Sequence, residues 1–552
     1  MKNRIKQYLL AASMCVGLTA CSDFFEPIPG VQFGLDETFA SKQRTEEYLN
    51  NVYSYVREVT DAIHPNTYGG IFTEASLDGA NRWNKTYAEW TNGSFNSASA
   101  QASEYFSKYY QAIAKASTFI QNVDKCTEAA ASTRGKWKSE ARALRAYYYF
   151  ELLRLYGPIP LIGEDPIPLD ASLEELIKER NSVDECVNFI ATELQSAIDS
   201  GDLLQRAGKA NLGRMDVATC MALKAKLYLY WASPLFNGNT DQASVKNKDG
   251  KQLFPQTEDN SKWTQARDAY ERFMTFATGQ GYKLTEVYTN GKLDPYASCR
   301  AAGEFFTTTW EAVDELIFVK LRDLYDYTYW VCPKFTDFQD TDVTGGGGYY
   351  TTQETVDLFF TKDGLTIEED PGYDKFEGIP GANNFTSGRY YDPNNPSRLY
   401  FDADKSKVLK QWKDREPRFY VNITYSGSIW LNEGKYNEEM RTDFTNGANG
   451  TCGKSKASGD CPDSGYLIRR GAKASNNNGS KHFSPVLRLA DMYLGYAEAL
   501  CMCSDLDNAL TYLNKIRVRA GIPEYTFTAT AGKITCPKTQ TDLLNRIRRE
   551  RL

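Results

Sequence analysis

The chain has 552 residues, of which 41% are hydrophobic and 24% are charged. That composition excludes a wholly disordered chain, and a chain of this length can bury a large core without metals or disulfides. The net charge of −7 argues against a general nucleic-acid-binding surface, and two histidines are too few for a multi-histidine zinc site. The 36 tyrosines suggest surfaces that stack on ligands or partners.

Residues 1–20 have the pattern of a secretory signal peptide. Three basic side chains in the first six positions precede a short apolar stretch, residues 8–18, which is too short to span a bilayer. The Leu-Thr-Ala before Cys21 resembles a bacterial lipoprotein box. This resemblance implies cleavage before Cys21, acylation of that residue and a lipidated tether over residues 21–40. The alternative is a buried N-terminal helix.

Amphipathic helices are predicted one after another between residues 41 and 280. Apolar residues recur there at spacings of three and four, and the run over residues 141–155 stops at Gly157 and Pro158. Small residues alternate with large ones in these stripes, which favours close helix–helix packing. Helix pairs of this kind suggest stacked hairpins like tetratricopeptide units, although the period is not a clean ~34 residues.

Residues 325–480 are rich in glycine and asparagine and predict loops with short strands, a usual setting for binding residues. The glycines at 345–348 lack the Lys-Ser/Thr of a phosphate loop, so we interpret them as a flexible hinge or loop tip. Helical periodicity returns at residues 489–500 and 510–520. The arginines near the end of the chain predict a solvated or ion-paired helix face. They are Arg546, Arg548, Arg549 and Arg551.

We therefore predict a mainly α fold of stacked tetratricopeptide-like helix pairs with a loop-rich, partly β insertion. Residues 41–552 form a single domain in this prediction. Its helical scaffold covers about 41–280 and 485–552, and its ligand-binding insertion covers about 281–484.

Several segments in chain order resemble the SusD/RagB family of Bacteroidota outer-membrane lipoproteins. They are CSDFFEP at 21–27, ARALRAYYYF at 141–150 with LYGPIPL at 155–161, TQETVD at 352–357 with DG at 363–364, REPRF at 415–419, LRLADMYLGYAEA at 487–499 and LNKIRVRAG at 513–521. Family members continue past the position of residue 552, so the C-terminus is expected to be truncated.

The resemblance implies a function without catalysis and without a cofactor or metal. It implies a lipid-anchored protein on the outer face of the outer membrane that binds nutrient oligosaccharides and delivers them to a SusC-like TonB-dependent transporter. The alternatives are a helical-repeat scaffold that binds only protein, and a surface glycosidase with an Asp/Glu pair.

Two aromatic clusters are the candidate glycan-binding residues. The first is a predicted loop with Asp78, Asn81, Arg82 and Trp83, followed by Trp90; it combines indole faces with hydrogen-bond donors and acceptors, as a sugar requires. The second contains Tyr327 and Trp330. The alternative for both clusters is that the aromatic side chains pack in the core.

Overall fold

The computed structural model describes most of the chain beyond residue 33. The described residues are 34–57, 63–64, 67–68, 79–81, 93–163, 165, 167, 171–303, 313–322, 329–335, 345–376, 381–431, 440–445, 451–453, 460–472 and 482–552. Within these ranges, no helix is both long enough and apolar enough to cross a membrane.

Helices, most of them long, occupy both ends of the described chain. The first group is α1 (Leu35–Ala40), α2 (Lys42–Ser54), α3 (Ala100–Asn122), α4 (Ala131–Tyr156), α5 (Leu173–Leu176), α6 (Val183–Asp199), α7 (Val217–Ala232) and α8 (Ser261–Gly279). Three further helices follow: α9 (Pro295–Gly303), α10 (Gln353–Leu358) and α11 (Pro417–Asn422). The last group is α12 (Leu489–Met502), α13 (Leu506–Ala520) and α14 (Gln540–Arg551).

The ends of these helices follow from local sequence. Helix α4 stops at Gly157, which is followed by a proline. The φ of Gly157 is 68°, which glycine adopts without strain. The Ser182 side chain caps the start of α6, and Glu185 reaches back to complete a capping box. Gly521 ends α13 in the left-handed conformation. The sequence therefore places these boundaries without help from distant residues.

Neighbouring long helices pack side by side into one scaffold, which we call the helical scaffold (α1–α8 and α12–α14). Helix α4 lies between α3 and α6, α7 lies between α6 and α8, and α12 joins α8 to α13. These helices share one large core of buried apolar side chains. Buried Arg145 on α4 donates to Glu193 on α6 at 2.8 and 2.5 Å, so the helices are joined by an ion pair as well as by packing.

Short strands are spread between the helices. They are β1 (Ile63–His64), β2 (Thr67–Tyr68), β3 (Ala80–Asn81), β4 (Tyr288–Thr289), β5 (Lys292–Leu293), β6 (Leu316–Arg322), β7 (Tyr349–Tyr350), β8 (Arg389–Asp392), β9 (Asn395–Asp402), β10 (Ile423–Thr424), β11 (Leu467–Ile468), β12 (His482–Arg488), β13 (Tyr525–Thr526) and β14 (Ile534–Thr535). Strands β10, β11, β7 and β3 form a four-stranded sheet in that order. The other strands pair two by two.

The region between α8 and α12, which we call the insertion, has its own small cores. One contains Phe360, Trp412 and Tyr425, and another contains Trp430 and Tyr349. Antiparallel β6 and β12 pair at the base of the insertion, and β12 runs directly into α12. This organisation confirms the predicted mainly α fold with a loop-rich, partly β insertion.

The arginines of α14 form the ion-paired face that the sequence predicts. Arg546 pairs with Asp542 at 2.8 Å, and Arg551 pairs with Asp491 and Glu498 at 2.9 Å each. Helix α14 is thereby fixed to α12 by charge pairs.

Candidate functional site

The four-stranded sheet brings the first predicted binding loop to the insertion. Asn81 on β3 pairs with Tyr349 on β7, and Ala80 pairs with Tyr350. On the other side of β7, Tyr350 pairs with Leu467 on β11. These strands are two residues long, so the sequence contains no alternating pattern from which their pairing could be predicted.

The segment before β7 contacts Trp330, the described member of the second aromatic cluster. The Gly346 N–H donates to the Tyr329 carbonyl at 2.7 Å, and the Gly348 N–H donates to the Trp330 carbonyl at 3.2 Å. A Cβ atom added at Gly346 would overlap the Trp330 ring. Glycine is needed here because two stretches of backbone and an indole lie in direct contact.

The interpretation of residues 345–348 as a flexible hinge or loop tip is therefore wrong. All four glycines are buried, and their N–H groups donate to carbonyls of residues 329–333. Four consecutive glycines occur in tight packing as well as in flexible loops, and the sequence alone does not distinguish the two.

Trp330 is the member of this cluster that is described and partly exposed. Its ring meets the Tyr329 ring edge to face, with centroids 4.9 Å apart and planes at 85°. Its inner side packs on a buried cluster that includes Val331 and Tyr349. A tryptophan that is held by packing and stays partly exposed suits stacking against a flat apolar surface.

The remaining predicted site residues lie outside the residues that the structure describes. These are Cys21, Asp78, Arg82, Trp83, Trp90 and Tyr327. Asn81 is placed as a strand residue by its pairing with Tyr349. Asn81 therefore lies in the sheet and Trp330 lies beside it, since Trp330 contacts the glycines that lead into β7.

A buried arginine, Arg469, packs beside this sheet. Arg469 directly follows β11, and its guanidinium lies 5.7 Å from the centre of the Trp430 ring. Burial lowers the pKa of Arg469 from its ordinary value. The cation packs against an aromatic face in the core beside the sheet.

Two buried carboxylates meet where the insertion joins the helical scaffold, and they bear on the glycosidase alternative. Glu416 and Glu550 both pair with Arg418, at 2.6 Å each, and Glu550 also pairs with Arg517 at 3.1 Å. Burial raises the pKa of Glu416, against the opposing effect of Arg418. Both carboxylates are engaged by arginines that join the insertion to α13 and α14, which is a structural role.

A metal site is not indicated by the described residues. Within them, no group of three or more His, Cys, Asp and Glu side chains is arranged to hold an ion.

Comparisons with known proteins identify relatives of both halves of the chain. A family model described as the SusD family matches residues 315–552, and a model described as "starch-binding associating with outer membrane" matches residues 32–229. A SusD-like protein of Bacteroides ovatus is 27% identical over 175 residues, which are 30% of this chain and 30% of that protein. The match therefore spans less than a third of that relative.

Solved structures share the fold over most of the chain. The protein named BT4246 is 25% identical, with a TM-score of 0.71 over 93% of this chain and 86% of its own. A SusD-like protein, BF3747 of Bacteroides fragilis, is 21% identical, with a TM-score of 0.64 over 94% of this chain and 84% of its own. The arrangement of helices and insertion is therefore that of these proteins.

Proposed function

Because this chain belongs to the SusD/RagB family, we propose that it is a cell-surface lipoprotein that binds nutrient oligosaccharides and delivers them to a SusC-like TonB-dependent transporter. The family is one of carbohydrate-binding proteins that associate with the outer membrane. Within the proposal, residues 1–20 are the signal peptide, Cys21 carries the lipid and the residues between Cys21 and α1 form the tether. The tether ends before α1 because Phe39 of that helix is buried in the core of the helical scaffold. The chain from α1 onward is then a single domain.

The observation that carries the proposal is the sheet that joins β3 to β7. In this sheet Asn81, from the first candidate loop, pairs with Tyr349, which directly follows the glycines that contact Trp330. Sugars present flat C–H faces and hydroxyls, so an indole beside hydrogen-bonding groups is complementary to them. We propose that Asp78, Arg82, Trp83, Trp90 and Tyr327 complete this surface.

The proposed role is capture without catalysis. A capture protein has to release its glycan intact to the transporter, and binding by aromatic faces and hydrogen bonds permits that. The alternatives make different predictions: a glycosidase would release sugar, and a protein-binding scaffold would not bind glycans at all.

A titration experiment tests the proposal. The full chain is titrated calorimetrically with four neutral oligosaccharides, namely maltoheptaose, cellohexaose, xylohexaose and mannohexaose, and each mixture is examined for cleavage products. We expect at least one to bind and none to be cleaved. Trp83→Ala should weaken binding about thirtyfold, as for an aromatic hot spot worth ~2 kcal/mol, and Trp330→Ala about tenfold.

A matched control is Tyr288→Ala, because Tyr288 is an exposed aromatic residue (60%) on the β4 hairpin. Its affinity should equal that of the wild type. Failure of all four oligosaccharides to bind, or release of shorter products, would contradict the proposal. Loss of thermal stability with unchanged affinity in Trp83→Ala would mean that this residue packs in the core.

A further inference from the structure

A cavity lies beside the helix that follows β7, whereas Trp330 contacts the glycines that precede β7. Its volume is about 580 Å³, which is within the ~300–1,000 Å³ range of small-molecule sites. Gln353 and Asp357 of α10 line the cavity, as do the buried side chains of Trp412 and Tyr466, which we call its floor. Phe376 and Lys375 also belong to the lining.

The floor is buried and its polar atoms are held in a chain of hydrogen bonds. The Trp412 indole N–H donates to the Tyr466 hydroxyl at 2.9 Å, and that hydroxyl donates to Gln353 Oε1 at 2.7 Å. Gln353 Nε2 then donates to Asp357 Oδ1 at 2.7 Å. This series of hydrogen bonds runs from the buried Trp412 indole to the exposed Gln353 side chain. Its direction is set at the start, because an indole N–H can only donate.

This series of hydrogen bonds holds its donors and acceptors in fixed positions. Burial raises the pKa of Tyr466 to about 12, so the hydroxyl keeps its proton at neutral pH and continues to donate to Gln353. The second oxygen of the Asp357 carboxylate and the remaining lone pair of Gln353 Oε1 can each accept from a ligand. Ser426 and Ser464 also belong to the lining, and their hydroxyls bond the backbone of Phe444 and Tyr466.

The charges of the lining select the class of ligand. Among the lining residues that the structure describes, Asp357 and Lys375 are the charged ones and their charges are opposite, so this part of the lining favours neither an anion nor a cation. Phe376 and Trp412 provide apolar surface beside hydroxyl and amide groups. A ligand that matches both is neutral, has several hydroxyls and has apolar C–H faces, which describes an uncharged sugar unit.

We infer that this cavity is a second binding position for one neutral sugar unit, separate from the surface at Trp330. The inference rests on the proposed function, because it assumes that the chain binds oligosaccharides. Tyr466 directly precedes β11, and its carbonyl accepts from the Thr351 N–H at 3.4 Å immediately after β7. The cavity and the Trp330 surface therefore flank the same short strand.

Two binding positions that flank the same strand strengthen the binding of a long or branched glycan. Once one unit is bound, the second position is filled at a high effective concentration, without new contacts at the first. Loss of the cavity should therefore weaken binding of an oligosaccharide without abolishing it.

The test uses Gln353→Ala and Asp357→Asn in the full chain, with the same four oligosaccharides. The helical scaffold offers a matched control, since Gln195 donates to Asp199 at 2.7 Å on α6 with the same four-residue spacing. We expect Gln353→Ala and Asp357→Asn to weaken the binding of whichever oligosaccharide the wild type binds by about three- to tenfold, as for one lost hydrogen bond. Gln195→Ala and Asp199→Asn should bind as the wild type does.

A spectroscopic measurement keeps the inference testable if a variant folds poorly. In protein labelled with ¹⁵N at the tryptophan indoles, the Trp412 signal is identified by its loss in Trp412→Phe. We expect this signal to shift when the bound oligosaccharide is added, because its hydrogen-bond partner Tyr466 lines the cavity.

The outcomes separate this inference from the proposed function. Unchanged affinity in Gln353→Ala and Asp357→Asn together with an unmoved Trp412 signal, while Trp330→Ala weakens binding, would overturn the second position alone. A wild-type protein that binds none of the four oligosaccharides would overturn the proposed function, and the second position with it.

Discussion

The helical scaffold and the insertion are stabilised in different ways. In the helical scaffold, helices as long as α4 pack side by side around one continuous core. In the insertion, the strands of the central sheet are two residues long, and the helices α10 and α11 have six residues each. Elements that short have little stability of their own, so the insertion depends on side chains that reach across it.

Two buried arginines illustrate the difference. Arg145 in the helical scaffold donates to a carboxylate on the next helix. Arg415 in the insertion donates to backbone carbonyls, at 2.8 Å to Val356 and 2.7 Å to Phe359, and to the Tyr373 hydroxyl at 3.0 Å. One joins helices that are already formed, whereas the other fixes the course of the chain itself.

The comparison suggests how such a protein can vary its binding surface. The helical scaffold keeps its shape through helix packing, which does not depend on the loops. The insertion can then change its loops as long as a few anchoring side chains remain. Three substitutions test this division of roles.

The largest expected effect is that of Arg415→Met. Removal of the guanidinium leaves buried carbonyls without donors, and we expect a loss of about 3–5 kcal/mol in the free energy of unfolding of the insertion. Urea denaturation with hydrogen exchange measures it: amides of residues 353–376 should exchange faster while those of α4 remain protected.

The control for this substitution is Arg272→Met, at an exposed position on α8. It should change stability by no more than about 0.5 kcal/mol. Equal loss of protection in α4 and in residues 353–376 after Arg415→Met would show that the two regions unfold together, and would remove the distinction between them.

Gly346→Ala should have an intermediate effect that is confined to the insertion. The added methyl group overlaps the Trp330 ring, and overpacking of this kind costs about 1–3 kcal/mol. We expect a lower melting temperature and weaker binding of the oligosaccharide that binds the wild type, because Trp330 must move. Gly163→Ala is the control, since a Cβ there meets open space. A Gly346→Ala protein with normal affinity would separate this packing from the binding surface.

Asp491→Asn should have the smallest effect, and it concerns the helical scaffold. Burial tends to raise the pKa of Asp491, but Lys226 at 2.7 Å and Arg551 at 2.9 Å outweigh it and hold the pKa well below its ordinary value. The carboxylate therefore contributes stability above about pH 4, and this contribution is lost as the pH falls further.

We expect Asp491→Asn to lower the free energy of unfolding by about 1–2 kcal/mol at pH 7, and the difference from wild type to shrink below about pH 4. Urea denaturation at several pH values measures this. Asp507→Asn, in an exposed pair with Lys538, is the control and should cost no more than about 0.5 kcal/mol. A constant difference between Asp491→Asn and wild type across the pH range would mean that the pKa of Asp491 is not depressed.

The sequence predicts the helical scaffold far better than the candidate site. The stop of α4 at Gly157 and the return of helix at residue 489 follow from periodicity and from local stop signals. Trp330 is a candidate because aromatic residues cluster around it in the sequence. Gln353, Trp412 and Tyr466, which line the cavity, have no such signal, since they are far apart in the chain and no spacing connects them.

The sequence alone predicts the succession of helices and the arginine-rich face of the last helix. These predictions depend on residues three or four positions apart, whose relation is fixed by the helix itself. Only the tertiary structure establishes the pairing of β3 with β7, the tight packing of residues 345–348, the partners of Arg551 on α12 and the cavity lined by Tyr466. Those features arise where segments that are not adjacent in the sequence meet, and two-residue strands and glycines carry no pattern that names their partners.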